Sequence, residues 1–241
     1  MAKKVSQVYD YREVKYSNAR WAFLEGLRGR ALKLIEALSA RGIWGIVHGS
    51  LARGDVNPKS DVDVFIPEVV PSYTVEGALM AGGFPASKRE LTQATPVHTV
   101  KAIIHLDEVV KLTFPLLPLR GREREFYKFG GELDAKGLRD GKRVPGIDKR
   151  LMLIVPTEYG HYELSAMENM VETAKLVGVG MEIIAERIRV LKRRDEIGRT
   201  GIYYKEELAD GDSFEGRLSE RLAKDPSLRR LMQHRGVGFK Y

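Results

Sequence analysis

The sequence predicts an α/β (α+β) fold: a small mixed β-sheet with helices on one face, followed by a helical C-terminal domain. Three observations predict it. Apolar residues recur at helical spacing from Trp21 to Leu38, and again in several stretches beyond His161. Between these lie short apolar runs rich in β-branched residues, the pattern of buried strands: Ile43 to His48, Asp61 to Ile66, Val97 to Leu106 and Val109 to Leu117. Glycine and proline punctuate the runs, at Gly42, Asn57-Pro58, Gly82-Gly83 and Pro156. The expected division is residues 1–156 for the sheet domain and 157–241 for the helical one.

A chain of 241 residues can form one large domain or two small ones, and 43% hydrophobic residues can supply a core. The net charge of +7 suits nucleic acid or nucleotide phosphates, and equally a generally charged surface. With no cysteine, disulfides, thiolate-bound zinc, iron–sulfur clusters and thiol nucleophiles are excluded. Met1-Ala2-Lys3-Lys4 leads into no apolar segment, and no run reaches membrane-spanning length, so a cytoplasmic protein with no membrane partner is expected.

Taken in order, residues 1–17 are polar and give no firm element. Trp21, Leu24, Leu27, Ala31, Leu34, Ile35 and Leu38 mark the first helix, closed by Gly42. Trp21 and Met80 read as core. A short helix starts at Ser72 and stops at Gly82-Gly83. The runs Val97 to Leu106 and Val109 to Leu117 read as a hairpin turning at Asp107-Glu108. Residues 84–96 are mixed, and residues 118–150 are rich in charge and glycine. The latter read as a solvated connector or, more sharply, as a track for a polyanion in which Phe126 and Tyr127 stack on bases. Leu151 to Val155 can add a strand to the sheet. From His161 the chain turns helical, with Leu164, Met167, Val171, Ala174 and Val177 on one helix, and Ile184, Ile188 and Leu191 on the next. A turn follows at Arg199-Thr200-Gly201. Then come a helix through Phe214, Leu218 and Leu222, a last helix opened by Asp225-Pro226, and a basic end from His234 to Tyr241.

The informative stretch runs from Gly49 to Ile66. Gly49-Ser50 follows the Ile43 strand, where a glycine and a small hydroxyl at a strand-to-helix turn suit phosphate. Ser50 as a simple helix cap is the competing reading. Arg53, in the same turn, reaches such a phosphate or is a solvated helix residue. On the Asp61 strand, side chains alternate between faces, so Val62, Val64 and Ile66 share one and Asp61, Asp63 and Phe65 the other. Adjacent carboxylates repel, and a hard divalent cation offsets that, with Mg²⁺ using one or two carboxylates plus substrate phosphates. A phosphate turn beside a carboxylate pair is what metal-assisted phosphoryl transfer needs.

An apolar residue or two, Gly-Ser, ten intervening residues after Ser50, then Asp-x-Asp in an apolar strand resembles the signature of the polymerase-β-type nucleotidyltransferase superfamily. The layout is also similar to an archaeal group of predicted nucleotidyltransferases. The resemblance implies that residues 1–156 are a nucleotidyltransferase domain. It implies that Gly49 and Ser50 hold the triphosphate of an NTP, and that Asp61 and Asp63 bind two catalytic Mg²⁺ (or Mn²⁺) ions. It also implies a third carboxylate on the strand beside the Asp-x-Asp strand. Here that strand is expected within Val97 to His105, whose polar residues are His98, Thr99, Lys101 and His105; the nearest acids, Asp107 and Glu108, fall at the turn. Three readings follow: Asp107 serves, a histidine is the base, or catalysis is weak or lost.

The expected reaction moves an NMP from an NTP to an acceptor hydroxyl. RNA is the favoured acceptor because Arg187, Arg189, Lys192, Arg193 and Arg194 put five basic residues in eight positions of one predicted helix. In the competing account these residues complement the helix dipole and pair with Asp195 and Glu196. The other functional classes are transfer to a protein or small molecule, as in the antitoxin-type minimal nucleotidyltransferases, and an inactive nucleotide- or RNA-binding module. The oligomeric state is left open.

Overall fold

The computed structural model describes residue 5 and residues 11–198 and 201–236. In chain order the elements are β1 (Arg12–Lys15), α1 (Asn18–Ser39), β2 (Ile46–His48), α2 (Ser50–Arg53), β3 (Val62–Phe65), α3 (Ser72–Ala81), β4 (Lys88–Gln93), β5 (Val100–His105) and β6 (Val110–Pro115). There follow α4 (Gly121–Phe129), β7 (Glu132–Asp134), α5 (Ala135–Arg139), β8 (Gly146–Ile147), β9 (Met152–Thr157) and β10 (Gly160–Ser165). The chain continues with α6 (Met170–Val177), α7 (Met181–Ile197), β11 (Tyr204–Glu207), α8 (Phe214–Lys224) and α9 (Pro226–His234). The fold is thus mixed α+β, with helices towards the C-terminus.

The chain divides into two compact units, each gathered from three segments. The first comprises Met1–Leu32, Ile46–Val62 and Gly121–Thr200; the second comprises Lys33–Gly45, Asp63–Arg120 and Gly201–Tyr241.

In the first unit, β1, β10, β9 and β8 form an antiparallel sheet in that order. Leu151 to Val155 therefore supplies a strand, but to this separate sheet. His161 sits in β10 rather than opening a helix. From His161 to Ser165 buried and half-buried residues alternate with the period of a strand, and this overrides the helical reading of Leu164. Residues 118–150 are no connector: they fold into α4, β7, α5 and β8, and β7 pairs antiparallel with β2. Three of their cations have partners within this unit: Arg124 on Glu132, Arg122 on Glu186 and Arg143 on the Gly160 and Thr157 carbonyls. Tyr127 is buried. The core here is Phe129, Ile147, Leu151, Leu153, Ala174, Ile183, Ile184 and Leu191. Asn169 caps α6 by accepting from the Glu172 N–H, and Gly178 ends it at φ 73°.

In the second unit the strands run β11-β4-β5-β6-β3. The expected hairpin is β5 and β6, antiparallel, with Ile103 opposite Thr113 and His105 opposite Lys111. The mixed 84–96 stretch contains β4, which pairs antiparallel with β5 and β11. Its polar sequence hides it: Glu90 and Gln93 are buried by ion pairs and hydrogen bonds, not by apolarity. Phe114 and Phe214 meet edge-on at 5.6 Å in the core. Asp225 caps α9 by accepting from Ser227 and Leu228, with Pro226 at the first helical position. Met80 is 80% exposed and so is not core, while Trp21 is half-buried. Arg199 and Thr200 of the expected turn, and residues 237–241 of the basic end, lie outside the described residues.

Candidate active site

Strand β2 delivers the chain to Gly49, whose backbone takes φ 72° and ψ −141°, a conformation essentially confined to glycine. An added Cβ there would meet nothing within 4 Å. The glycine is thus required by backbone geometry, and the space over it is open. Gly49 N–H donates to the Gly131 carbonyl at 2.9 Å. Ser50 is the first residue of α2 and caps nothing, because Gly49 holds the cap position and no side chain bonds the first turn. The Ser50 hydroxyl lies 3.4 Å from that of Ser60. Since α2 is a single turn, its contribution is local N–H groups without acceptors inside the helix, not a macrodipole.

Arg53 differs from expectation. It is 5% exposed, forks onto both Asp55 oxygens at 2.9 and 3.0 Å, and donates to the Gly130 carbonyl at 2.6 Å. It holds the turn in shape. Two supports gave no functional signal in the sequence. Arg28 of α1 is buried and donates to the Leu51 carbonyl through Nε (2.9 Å) and Nη2 (2.8 Å), and to the Ala52 and Lys142 carbonyls at 3.1 and 2.8 Å. Burial, aided by the nearby Arg143 charge, lowers its pKa to about 10. Gly131 and Gly146 permit close backbone approach beneath the turn. A Cβ on Gly131 would lie 2.9 Å from Arg53 Cγ, and one on Gly146 only 2.5 Å from the Gly131 nitrogen.

From Gly54 to Ser60 the turn is set by side chains. Asn57 Oδ1 accepts from the Lys59 N–H at 2.9 Å, and Ser60 Oγ accepts from the Asn57 N–H at 3.0 Å. Asp61 is exposed; Val62, Val64 and Ile66 are buried, as the alternation requires. Phe65, on the Asp63 side, is buried too, with Lys101 Nζ 5.7 Å over its ring. Asp63 is about a quarter exposed. Its Oδ1 accepts from the Thr113 hydroxyl at 3.3 Å, and its Oδ2 lies 3.4 Å from Lys111 Nζ.

Residues 33–127 match the family model of the nucleotidyltransferase domain. They form a nucleotidyltransferase domain of the polymerase-β-like superfamily. No curated protein and no solved structure matches the chain. The nucleotidyltransferase domain makes this chain a nucleotidyl transferase enzyme, and it contains Gly49, Ser50, Asp61 and Asp63. The third carboxylate that the superfamily resemblance implies does not lie on β5 or β6, neither of which contains an acid. Asp107 closes the β5–β6 turn, accepting from the Val109 and Val110 N–H groups at 2.7 and 2.9 Å. His98 bonds Thr95 at 2.5 Å, and His105 bonds Glu90 at 3.2 Å.

Among the described residues no cluster of three His, Asp or Glu side chains is placed to hold a metal. Asp61 and Asp63 are hard oxygen donors and fit a divalent cation that completes its shell with substrate oxygens and water. No helix among the described residues is long and apolar enough to cross a membrane.

On α7, Arg189, Lys192, Arg193 and Arg194 are exposed. Asp195 accepts from the Val5 N–H, and Glu186 pairs with Arg122. Lys192 and Arg193 form no ion pair among the described residues. Arg187 is separate: it is half-buried, stacks 5.0 Å over Phe126, and has its pKa lowered by burial and by Arg194.

Proposed function

We propose that the enzyme transfers an NMP from an NTP to a hydroxyl of an RNA acceptor, with Mg²⁺ or Mn²⁺ held by Asp61 and Asp63. The observation that carries the nucleotidyl half is the Gly49 turn and the Asp61–Asp63 strand inside one nucleotidyltransferase domain. Gly49 leaves open space for the terminal phosphates, and Ser50 offers its hydroxyl and N–H to them. Asp61 and Asp63 orient the cation. When bound, that cation supplies charge neutralisation on the triphosphate and acidifies the acceptor hydroxyl. The hydroxyl oxygen gives up its proton to solvent and bonds to the α-phosphorus as the bond from the α-phosphorus to the bridging β-phosphate oxygen breaks, and pyrophosphate leaves.

The acceptor assignment rests on Lys192 and Arg193, exposed on α7 and in no ion pair among the described residues. Phosphate contacts release counterions, so log K falls linearly with log[salt]. The test measures RNA affinity of native protein and of Arg193→Ala/Arg194→Ala at two salt concentrations. The double variant is expected to reduce the slope by roughly one unit for each phosphate-contacting residue. Unchanged affinity and slope would remove RNA and move the acceptor to a protein or small molecule.

A further inference from the structure

We infer that the second unit carries a binding site for a nucleoside phosphate, in the cavity between β11 and α8. The cavity has a volume of about 400 Å³, within the roughly 300–1,000 Å³ of small-ligand pockets. Both elements supply its walls through their own periods. Arg217, Arg221 and Lys224 fall on one face of α8 at i, i+4 and i+7, and Tyr204 and Glu206 share one face of β11. In this unit the strands run β11-β4-β5-β6-β3. Four strand intervals of about 4.8 Å therefore set β11 about 19 Å across the sheet from the strand of Asp63.

The acids of this cavity are engaged inside the fold. Glu206 accepts from Arg217 Nε at 3.0 Å and from the Tyr204 hydroxyl, and Glu220 accepts from Arg217 Nη1 at 2.7 Å. Asp225 divides its oxygens between the N–H groups that open α9 and Arg221 Nη2, the latter at 3.1 Å. Three groups retain capacity. Arg221 is 8% exposed, and its Nη2 also donates to Gln93 at 2.5 Å, but its Nη1 has no hydrogen-bond partner among the described residues. Buried donors in native proteins are nearly all paired, so an unpaired guanidinium N–H on a cavity wall points to an acceptor that arrives from outside. Lys224 is exposed and in no ion pair among the described residues. Tyr203 is 48% exposed, while its N–H ties it to the Ala94 carbonyl at 3.3 Å. The Arg221 guanidinium covers the Tyr204 ring at 3.8 Å but stands 5.8 Å from that of Tyr203. Tyr203 thus offers a flat apolar platform beside two cations. The matching ligand is a flat ring joined to an anion by a short linker, and a nucleoside phosphate is such a molecule. Its base stacks on Tyr203, and its phosphate sits on Lys224 and against the Arg221 guanidinium in charge-assisted contacts.

The test is calorimetric titration of the full chain with AMP in the presence of EDTA. Native protein is expected to bind AMP roughly tenfold more tightly than adenosine or inorganic phosphate, since each of those makes only half of the contacts. Tyr203→Ala is expected to weaken AMP about tenfold, the scale of one base–aromatic stack, and Tyr203→Phe to restore it. Lys224→Ala is expected to weaken AMP several-fold at low salt and less at high salt. Both side chains project from the surface, and thermal melts establish that each variant is folded before titration. A short single-stranded oligoadenylate is the second probe. Binding tighter than AMP that falls by the same factor in Tyr203→Ala identifies a nucleotide within a strand as the occupant; binding no tighter than AMP identifies the free nucleotide. No AMP binding at millimolar concentration would overturn the inference, as would AMP affinity unchanged in Tyr203→Ala and Lys224→Ala, or inorganic phosphate that binds as tightly as AMP. AMP affinity that falls in Ser50→Ala and not in Tyr203→Ala would overturn it too, because the nucleotide would then sit at the catalytic turn.

Discussion

Gly49→Ala isolates one physical term at the phosphate turn. The residue sits at φ 72°, ψ −141°, and an added Cβ finds no heavy atom within 4 Å. No collision can therefore account for any loss of stability. What remains is the cost of holding an L-residue in a glycine-only region, about 1–3 kcal/mol. A control lies in the same chain. Gly26, on the exposed side of α1, also has open space around its missing Cβ, but its backbone is helical. Gly26→Ala is expected to stabilise by about 0.5–1 kcal/mol, because alanine loses less backbone freedom on folding than glycine. Urea unfolding of the native protein and both variants, with the denaturant slope unchanged, gives the two values with opposite signs. Against a domain stability of about 5–15 kcal/mol, a loss at Gly49 leaves a folded protein in which NTP binding can be measured. The KM for NTP is expected to rise. A Gly49→Ala variant as stable as Gly26→Ala would show that the positive φ is not maintained, and would remove the geometric reason for placing phosphate there.

Arg28→Met keeps an apolar stem but strips donors from the Leu51, Ala52 and Lys142 carbonyls; a loss of about 2–4 kcal/mol is expected by urea titration, with NTP binding weakened through the turn. Asp61→Asn is expected to abolish transfer, measured with labelled NTP and total RNA, while the exposed position leaves the melting temperature within a degree or two of native, about the effect of a surface substitution. Acid should unfold the protein through two carboxylates. For Glu90, burial pushes the pKa up, but Lys88, Lys205 and His105 outweigh it and hold it at about 2; for Glu163 the His161 hydrogen bond, opposed by burial and helped by Arg150, also gives about 2. Both folded-state values lie below the ordinary 4.5. Their stabilisation is therefore complete above pH 4.5 and is lost as pH falls towards 2, so the urea midpoint should drop through that window and drop less in Glu90→Gln.

By itself, the sequence determined the elements whose signal is local. The α1 stripe from Leu24 to Leu38 is buried as its spacing requires, and Asp225-Pro226 opens α9 as a cap and a first-turn proline should. Alternation through Val62, Val64 and Ile66 was legible, and with it the placing of Asp61 and Asp63 together on the other face, because a strand repeats every two residues whatever surrounds it. The Gly-Ser to Asp-x-Asp spacing carried the domain family, since a turn and a strand start are fixed by a dozen contiguous residues. Tertiary structure alone decided the rest. β4 could not be read because its buried Glu90 and Gln93 are satisfied by partners remote in sequence, among them Lys205 and Arg221. The glycine-rich 118–150 stretch became structure because Gly131 and Gly146 let backbones approach where any Cβ would collide, a demand that has no periodicity. The burial of Arg53 was decided by the Gly130 carbonyl, 77 residues away, and that of Arg28 by the Leu51 and Lys142 carbonyls. The same is true of Lys111 and Thr113: fifty residues beyond Asp63 in the case of Thr113, they meet it only because β6 pairs beside β3. Charge partners are chosen by distance in space, and distance in space is what a linear pattern does not contain.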